Sequence, residues 1–277
     1  MKTAIGILSW KAHETLEKTL HTYEDAGIRK LFQTAVIHFN SRSDEDDEIA
    51  KKFGWLAAGD KRNLGLLNGT LQLAKEMDGD ILLMLQNDCP VCVEGAKAVE
   101  YLRAAAELLS SGKADIVRCR HRWNVGQGFS DRANYLKYFR PGGKKTLLGR
   151  IRPFKAMHMI GRSPYVEKRP ELIFPKFIRR DGDFLIVDSQ VINFTDQPFM
   201  IRKELLLELC GYASTHRKKR TLNGFQVLEL NLNCRWWRKH HFRVAVGEGC
   251  FTHNRFDDSF RSDHAAFNAA IAGQTQA

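Results

Sequence analysis

The first stretch of this 277-residue chain alternates short apolar runs with segments of helical spacing. Thr3 to Ser9 is a short apolar run and reads as a strand. His13 to Ala26 carries Leu16, Leu20 and Tyr23 at helical spacing, with Gly27 where a helix would stop. Phe32 to Phe39 alternates and is rich in strand formers, and Asn40 to Asp44 follows as a polar loop. Ser43 suits an N-cap, and the acids from Asp44 to Glu48 then fill the first turn of the next helix, where the macrodipole favours them. Trp55 to Ala58 predicts a third strand. Leu64 to Met77 predicts a helix with Leu67, Leu71 and Ala74 on one face. Ile81 to Leu85 is apolar throughout and runs straight into Gln86-Asn87-Asp88, the pattern of a central strand buried on both faces. Val93 to Ser111 predicts a long helix with Val99, Leu102, Ala106 and Leu109 inward and Gly112 beyond its end, and Asp115 to Val117 opens another strand.

Strands alternating with helices predict an α/β domain with a mostly parallel central sheet flanked by helices, Rossmann-like in construction. Right-handed crossovers would bring the ends of the first, second and fourth strands to one edge. Ligands of such sheets bind beyond the carboxyl ends of the strands. The loops at Ser9-Trp10, Asn40 to Asp44 and Gln86 to Asp88 are therefore expected to converge on one nucleotide. A polar tripeptide ending in Asp88 can hold a divalent cation against a diphosphate; an ordinary polar turn is the competing reading.

After Arg120 the regularity fails. Arg120 to Arg180 contains Pro141-Gly142-Gly143 and four further prolines, with basic and aromatic residues interleaved, among them Trp123, Phe129, Tyr135, Tyr138 and Phe139. This predicts a basic, irregular insertion that faces an acceptor. Beyond it, Phe184 to Val187, Val191 to Phe194 and Phe242 to Val246 predict strands. Lys203 to Cys210, stopping at Gly211, and Phe225 to Trp237 predict helices, and a short helix is expected near Ala265. The expected division is residues 1–118, 119–182 and 183–277.

Charge sharpens this picture. The chain carries a net +11. Between Arg118 and Arg180 there are seventeen Lys/Arg against three acids, a net +14, which leaves −3 for the remainder. Charge so concentrated implies an anionic partner: a phosphorylated substrate, acidic lipid headgroups or nucleic acid. No apolar run is long enough to span a membrane, and no secretory pattern is evident, so a cytoplasmic protein with peripheral contact at the inner membrane face is expected. Six cysteines are too sparse for a disulfide scaffold. Cys89 and Cys92 stand in C-x-x-C spacing, but no second pair completes a zinc ribbon, and two packed thiols are expected.

The order of features resembles the family-2 glycosyltransferases, inverting nucleotide-sugar enzymes with the GT-A fold. Ile5-Gly6-Ile7-Leu8-Ser9-Trp10 followed by Glu14-Thr15-Leu16 resembles the family's opening strand and helix start. Asn40 to Asp44 resembles its "DNGSTD" loop, with Phe39 in place of the usual acid. Asn63-Leu64-Gly65 resembles its "N-x-G", and Gln86-Asn87-Asp88 its "DxD" with Gln86 in place of the first acid. Leu228-Glu229-Leu230-Asn231-Leu232-Asn233-Cys234-Arg235 resembles "EDxDLxxR", which places Glu229 at the general base, with Leu228 in place of the first acid. Thr252-His253-Asn254 resembles the strand-end histidine that is often a metal ligand in this fold.

The resemblance implies a donor site of Ser9, Trp10, Asn40, Asp44, Asn63, Gly65, Gln86, Asn87 and Asp88. It implies Mn²⁺ or Mg²⁺ on Asp88 and His253, and Glu229 as the base that deprotonates an acceptor hydroxyl. The expected acceptor is an anionic glycan or lipid-linked glycan, as in polysaccharide or lipopolysaccharide synthesis. The alternatives are a sugar transferase acting on a DNA base, with the insertion gripping nucleic acid, and a non-catalytic nucleic-acid-binding α/β protein. For Glu229 the competing reading is a solvated helix position, for His253 a buried hydrogen-bonded histidine. His216 to Arg220 is either a solvated loop or a flap over the diphosphate.

Overall fold

The computed structural model describes residues 1–127, 130–215, 220–222 and 224–254. Four parallel strands open the chain: β1 (Thr3–Ser9), β2 (Thr34–Phe39), β3 (Leu56–Ala58) and β4 (Ile81–Gln86). They are joined by helices α1 (His13–Asp25), α2 (Asp44–Lys52) and α3 (Gly65–Glu76), with a 3₁₀ turn at Ile28–Leu31. Helix α4 (Gly95–Ser110) then leads to β5 (Ile116–Arg120). Next come α5 (Asp131–Tyr138), α6 (Leu147–Ile151), α7 (Pro153–Met159), a 3₁₀ segment (Ile160–Tyr165), α8 (Pro170–Ile173) and the hairpin β6 (Ile178–Asp181) to β7 (Phe184–Asp188). The chain re-enters the sheet as β8 (Phe199–Arg202) and leaves through α9 (Lys203–Thr215). It continues through the hairpin β9 (Thr221–Leu222) and β10 (Phe225–Gln226), α10 (Leu228–Leu232) and α11 (Arg235–Lys239), and returns as β11 (Arg243–Phe251).

Among the described residues the main sheet has nine strands in the order β3-β2-β1-β4-β8-β5-β11-β7-β6. The β3-β2-β1-β4 half is parallel. Strand β8 runs antiparallel between β4 and β5, and β11 is parallel to β5 but antiparallel to β7. Alternate strand residues face opposite sides, so the sheet builds two cores. Ala4, Leu8, Leu82 and Met84 pack with α3 and α9, and Ile5, Ile7, Leu83 and Leu85 pack with α1, α2 and α4.

Local chemistry sets the element ends. Ser43 and Asp46 form a reciprocal capping box at the start of α2, worth about 1 kcal/mol. Asp46 also pairs with His13 of α1 at 2.9 Å, so this acid is structural. Gly65 opens α3 at φ +70, where a Cβ would meet the Phe225 ring at 2.5 Å; glycine is the residue that fits both constraints.

Four sequence expectations change. Val191 to Phe194 is not a strand. Its side chains are mostly buried, but its backbone bonds to side chains: Trp237 Nε1 donates to the Ile192 carbonyl, and the Asn233 amide bonds both the N–H and the carbonyl of Phe194. An apolar run reports burial here, not pairing. Phe225 to Trp237 is not one helix; it breaks at Asn233 and Cys234, where Cys234 is extended. Helix α9 passes through Gly211 to Thr215, because Cys210 and Ala213 stay buried on its inner face and outweigh the roughly 1 kcal/mol cost of an internal glycine. The buried face of α4 is Ala98, Leu102, Ala105, Leu108 and Leu109, with Val99 and Ala106 at its edge. The irregular insertion holds four short helices tied by turns. The expected helix near Ala265, Phe129 and most of the His216 to Arg220 loop lie outside the described residues. All six cysteines are free thiols, with Cys89 buried and Cys92 half-buried.

Candidate active site

The expected donor loops do meet at the carboxyl edge of the sheet. The Asn40 amide N–H donates to the Ser9 carbonyl at 2.9 Å, and Asn87 Nδ2 reaches Ser9 Oγ at 3.5 Å. Asn40 Oδ1 accepts from the Leu64 N–H at 3.2 Å, and Asn63 Oδ1 accepts from the Gly65 N–H at 2.9 Å. Ser9, Asn40, Asn63, Gly65 and Asn87 therefore form one hydrogen-bonded rim. Trp10 follows β1 at that rim, half-buried beside Lys11. Asp44 stands exposed at the start of α2.

Asp88 lies buried at the end of β4, with His253 Nε2 3.1 Å from Asp88 Oδ2. The Asn254 N–H donates to the Asp88 carbonyl at 2.8 Å, which fixes the segment after β11 against the end of β4. Among the described residues no group of three or more His, Cys, Asp or Glu side chains is gathered as for a metal ion. Asp88 and His253 are a pair. A carboxylate oxygen and an imidazole nitrogen are both donors that a divalent cation accepts.

The other half of the site centres on Glu229, in the first turn of α10. A cavity of about 210 Å³ opens beside it, lined by Arg118, Arg120, Asp131, Arg162, Gln197 and others. Asp196 lies against Glu229: the Glu229 N–H donates to Asp196 Oδ2 at 3.3 Å, and the Asp196 N–H to Glu229 Oε2 at 3.5 Å. Burial and the Glu229 charge push the Asp196 carboxyl up to about 8. Burial also raises Glu229, opposed by the Asp196 N–H and by the Arg118 guanidinium. Gln86 joins the two halves, since its Nε2 donates to the Asp196 carbonyl at 3.3 Å. Gln197 Oε1 is buried with no hydrogen-bond partner among the described residues, which leaves an acceptor at the cavity wall.

The basic segment divides its charge. Arg118 and Arg120 sit on one face of β5 and are buried. Arg118 donates to the Tyr165 hydroxyl and the Asn193 carbonyl, Arg120 to the carbonyls of Val125 and Gln127, and Arg122 to those of Pro164 and Glu167. These three arginines tie residues 119–182 onto the sheet, so part of the +14 is spent internally. Arg162 pairs with Asp131 at 2.8 Å. A second, more open groove of about 610 Å³ is lined by His158, Arg235, Arg238, Lys239 and His241. His158 lines both cavities, and burial together with Arg238 and Arg162 lowers its pKa.

Sequence reasoning passed over Asp196, Gln197, Asp131, Arg162 and His158. The sharpest missed signal is Arg118-Cys119-Arg120, two arginines at alternate positions of an otherwise apolar strand.

The sequence matches no protein-family model and no curated protein. The fold is matched among solved structures. S. aureus TarS 1–349 superposes at TM-score 0.51 with 11% identity, covering 92% of this chain and 60% of that one. The same protein in complex with UDP-GlcNAc superposes at TM-score 0.50 with 13% identity, covering 91% of this chain and 58% of that one. This chain thus spans less than two thirds of those structures. Together with the strand order, the likeness defines a GT-A-like α/β fold: a large, mostly parallel sheet with antiparallel members, flanked by helices.

Proposed function

We propose that this chain is an inverting glycosyltransferase that moves a sugar from a nucleotide-diphosphate donor to a hydroxyl of an anionic glycan acceptor. The observation that carries this reading is the joining of two half-sites through Gln86. One is the rim of Ser9, Asn40, Asn63, Gly65 and Asn87 with Asp88; the other is the Glu229 carboxylate at an arginine-lined cavity. A protein of the same fold has been seen with UDP-GlcNAc, which supports a nucleotide-sugar donor. On this reading residues 1–118 bind the donor, with Trp10 and Asp44 completing the rim. Residues 119–182 face the acceptor, and 183–277 supply the base.

Glu229 takes the proton from the acceptor hydroxyl. That oxygen forms its bond to the anomeric carbon as the bond to the diphosphate oxygen breaks on the opposite face, and the nucleotide diphosphate leaves. One displacement gives inversion. A raised Glu229 is a better base toward a hydroxyl than an exposed glutamate, and removing such a base typically costs ~10²–10⁴ in rate. Asp88 and His253 would hold Mn²⁺ or Mg²⁺, whose chemistry when bound is to neutralise charge on the leaving diphosphate. Arg235, Arg238 and Lys239 in the groove that shares His158 with the Glu229 cavity support an acceptor bearing negative charge.

The test is calorimetric titration with UDP, GDP, CDP and dTDP, each with and without Mn²⁺, on the native chain and Asp88→Ala. Metal-dependent binding of one nucleotide, lost in the variant, is expected. Binding of none of the four would overturn the reading.

A further inference from the structure

Among the described residues, nine large hydrophobic side chains are exposed, and six of them lie in residues 119–182: Trp123, Leu136, Leu147, Ile151, Phe154 and Leu172. Three of the four most exposed of these fall within eight residues of one another along the chain. Leu147 (74%) and Ile151 (66%) are four apart on α6 and so share a face, and Phe154 (79%) stands three residues on, in the first turn of α7. Leaving three such side chains in water forgoes burial that the core would reward. A contiguous apolar patch with a polar surround marks an interaction surface.

The surround is basic. Between Asp131 and Glu167 there is no acid, and Lys144, Lys145, Arg150, Arg152 and Lys155 flank the three apolar tips. None of these five forms an ion pair among the described residues, in contrast to Arg162 with Asp131. Gly149 and Thr146 fix the turn that presents them: Thr146 caps α6 through the Gly149 N–H, and a Cβ at Gly149 would meet the Tyr138 carbonyl at 2.2 Å.

We propose that α6 and the start of α7 are a docking surface for an anionic lipid bilayer. Leu147, Ile151 and Phe154 enter the boundary between headgroups and acyl chains, while the five cations meet the headgroup charge. Aliphatic side chains such as Leu147 and Ile151 offer nothing to stack on a nucleobase, so the apolar tips favour lipid over nucleic acid. The placement has a consequence for the site. Phe154 is one helical turn before His158, which lines both the Glu229 cavity and the basic groove. Docking at Phe154 therefore brings the mouth of that cavity to the membrane surface, where a lipid-linked acceptor would lie. The surface itself does not depend on the transferase reading.

The experiment is vesicle flotation of the full chain with 1:1 phosphatidylglycerol:phosphatidylcholine and with phosphatidylcholine alone. It is repeated for Ile151→Ser/Phe154→Ser and for Lys144→Glu/Lys145→Glu, with thermal midpoints to confirm folding. Partition onto the anionic vesicles alone is expected, weakened by roughly tenfold or more in each double variant, with midpoints unchanged because all four side chains stand clear of the core. No flotation with the anionic vesicles overturns the proposal. So does flotation that Ile151→Ser/Phe154→Ser leaves intact, which would be bulk charge attraction. Self-association in sedimentation velocity, abolished by the same substitutions, would assign the patch to a second copy of the chain and also overturn it.

Discussion

Glu229 and Asp196 are each held by the other's backbone: the Glu229 N–H donates to the Asp196 carboxylate at 3.3 Å, and the Asp196 N–H to the Glu229 carboxylate at 3.5 Å. Two carboxyl groups this close do not ionise independently. With Asp196 raised to about 8, the pair keeps one proton through much of the neutral range. The Asp196 N–H and the Arg118 guanidinium favour the charged form of Glu229, while burial and the Glu229 charge favour the neutral form of Asp196. Glu229→Gln is expected to lower kcat by ~10²–10⁴ while leaving nucleotide binding in place. Steady-state rates and calorimetry on the same sample check both halves of the statement.

The same pair sets a pH dependence. Because Glu229 is raised above the ordinary glutamate range, the acid limb of the kcat profile is expected above that range. Burial is the main cause, and Asp196 acts on Glu229 through its backbone N–H, which Asp196→Asn keeps, so in that variant the limb stays in place with kcat at its plateau largely retained. A limb that moves to lower pH in the variant would give the Asp196 carboxylate a direct part in the titration.

Stability follows the opposite course. Asp196 has a folded pKa of about 8 against an ordinary 3.8, so the folded state binds its proton more tightly than the unfolded state does. Its contribution is present in full below the ordinary value and is lost as pH rises toward 8. Thermal midpoints of the native chain are therefore expected to fall, relative to Asp196→Asn, between about pH 4 and 8. A constant difference between the two curves would contradict the assignment.

Much of this was legible beforehand. The ends of β1, β4 and α1, and the cap at Ser43, follow from apolar runs and turn chemistry that act over a few residues. The convergence of Ser9, Asn40 and Asp88 follows from crossover handedness alone. Asp196 was not legible. It gains its character from Glu229, 33 residues later, and from a buried loop whose backbone is satisfied by Asn233 and Trp237. A run such as Val191 to Phe194 looks like a strand because burial and pairing leave the same apolar signature. The arginines of β5 likewise read as charge meant for an anionic partner, since their carbonyl partners lie in segments without periodicity.

Gly65→Ala tests the turn into α3. The native φ of +70 disfavours any side chain, and a Cβ would stand 2.5 Å from Phe225. Destabilisation of about 1–3 kcal/mol is expected, combining backbone strain with displacement of the Phe225 ring. Urea denaturation of the two proteins reads it directly, and weaker nucleotide binding should accompany it because Asn63 and Asn40 lean on the same turn.

Asn233→Ala addresses how the loop that carries Asp196 is held. Asn233 Oδ1 accepts from the Phe194 N–H at 2.7 Å, and its Nδ2 donates to the Phe194 carbonyl at 3.0 Å, a pairing that imitates a neighbouring strand. Alanine removes both partners and leaves two backbone groups of a largely buried segment unsatisfied, each worth about 1–3 kcal/mol. The loop carries Asp196 and Gln197 two and three residues beyond Phe194, so its loosening reaches Glu229 before it reaches the donor rim. The expected signature is a loss of stability together with a lower kcat, while affinity for the nucleotide stays close to native. Equal losses in donor binding and kcat would mean that the loop supports the whole sheet edge, and that Asn233 has no particular bearing on the base.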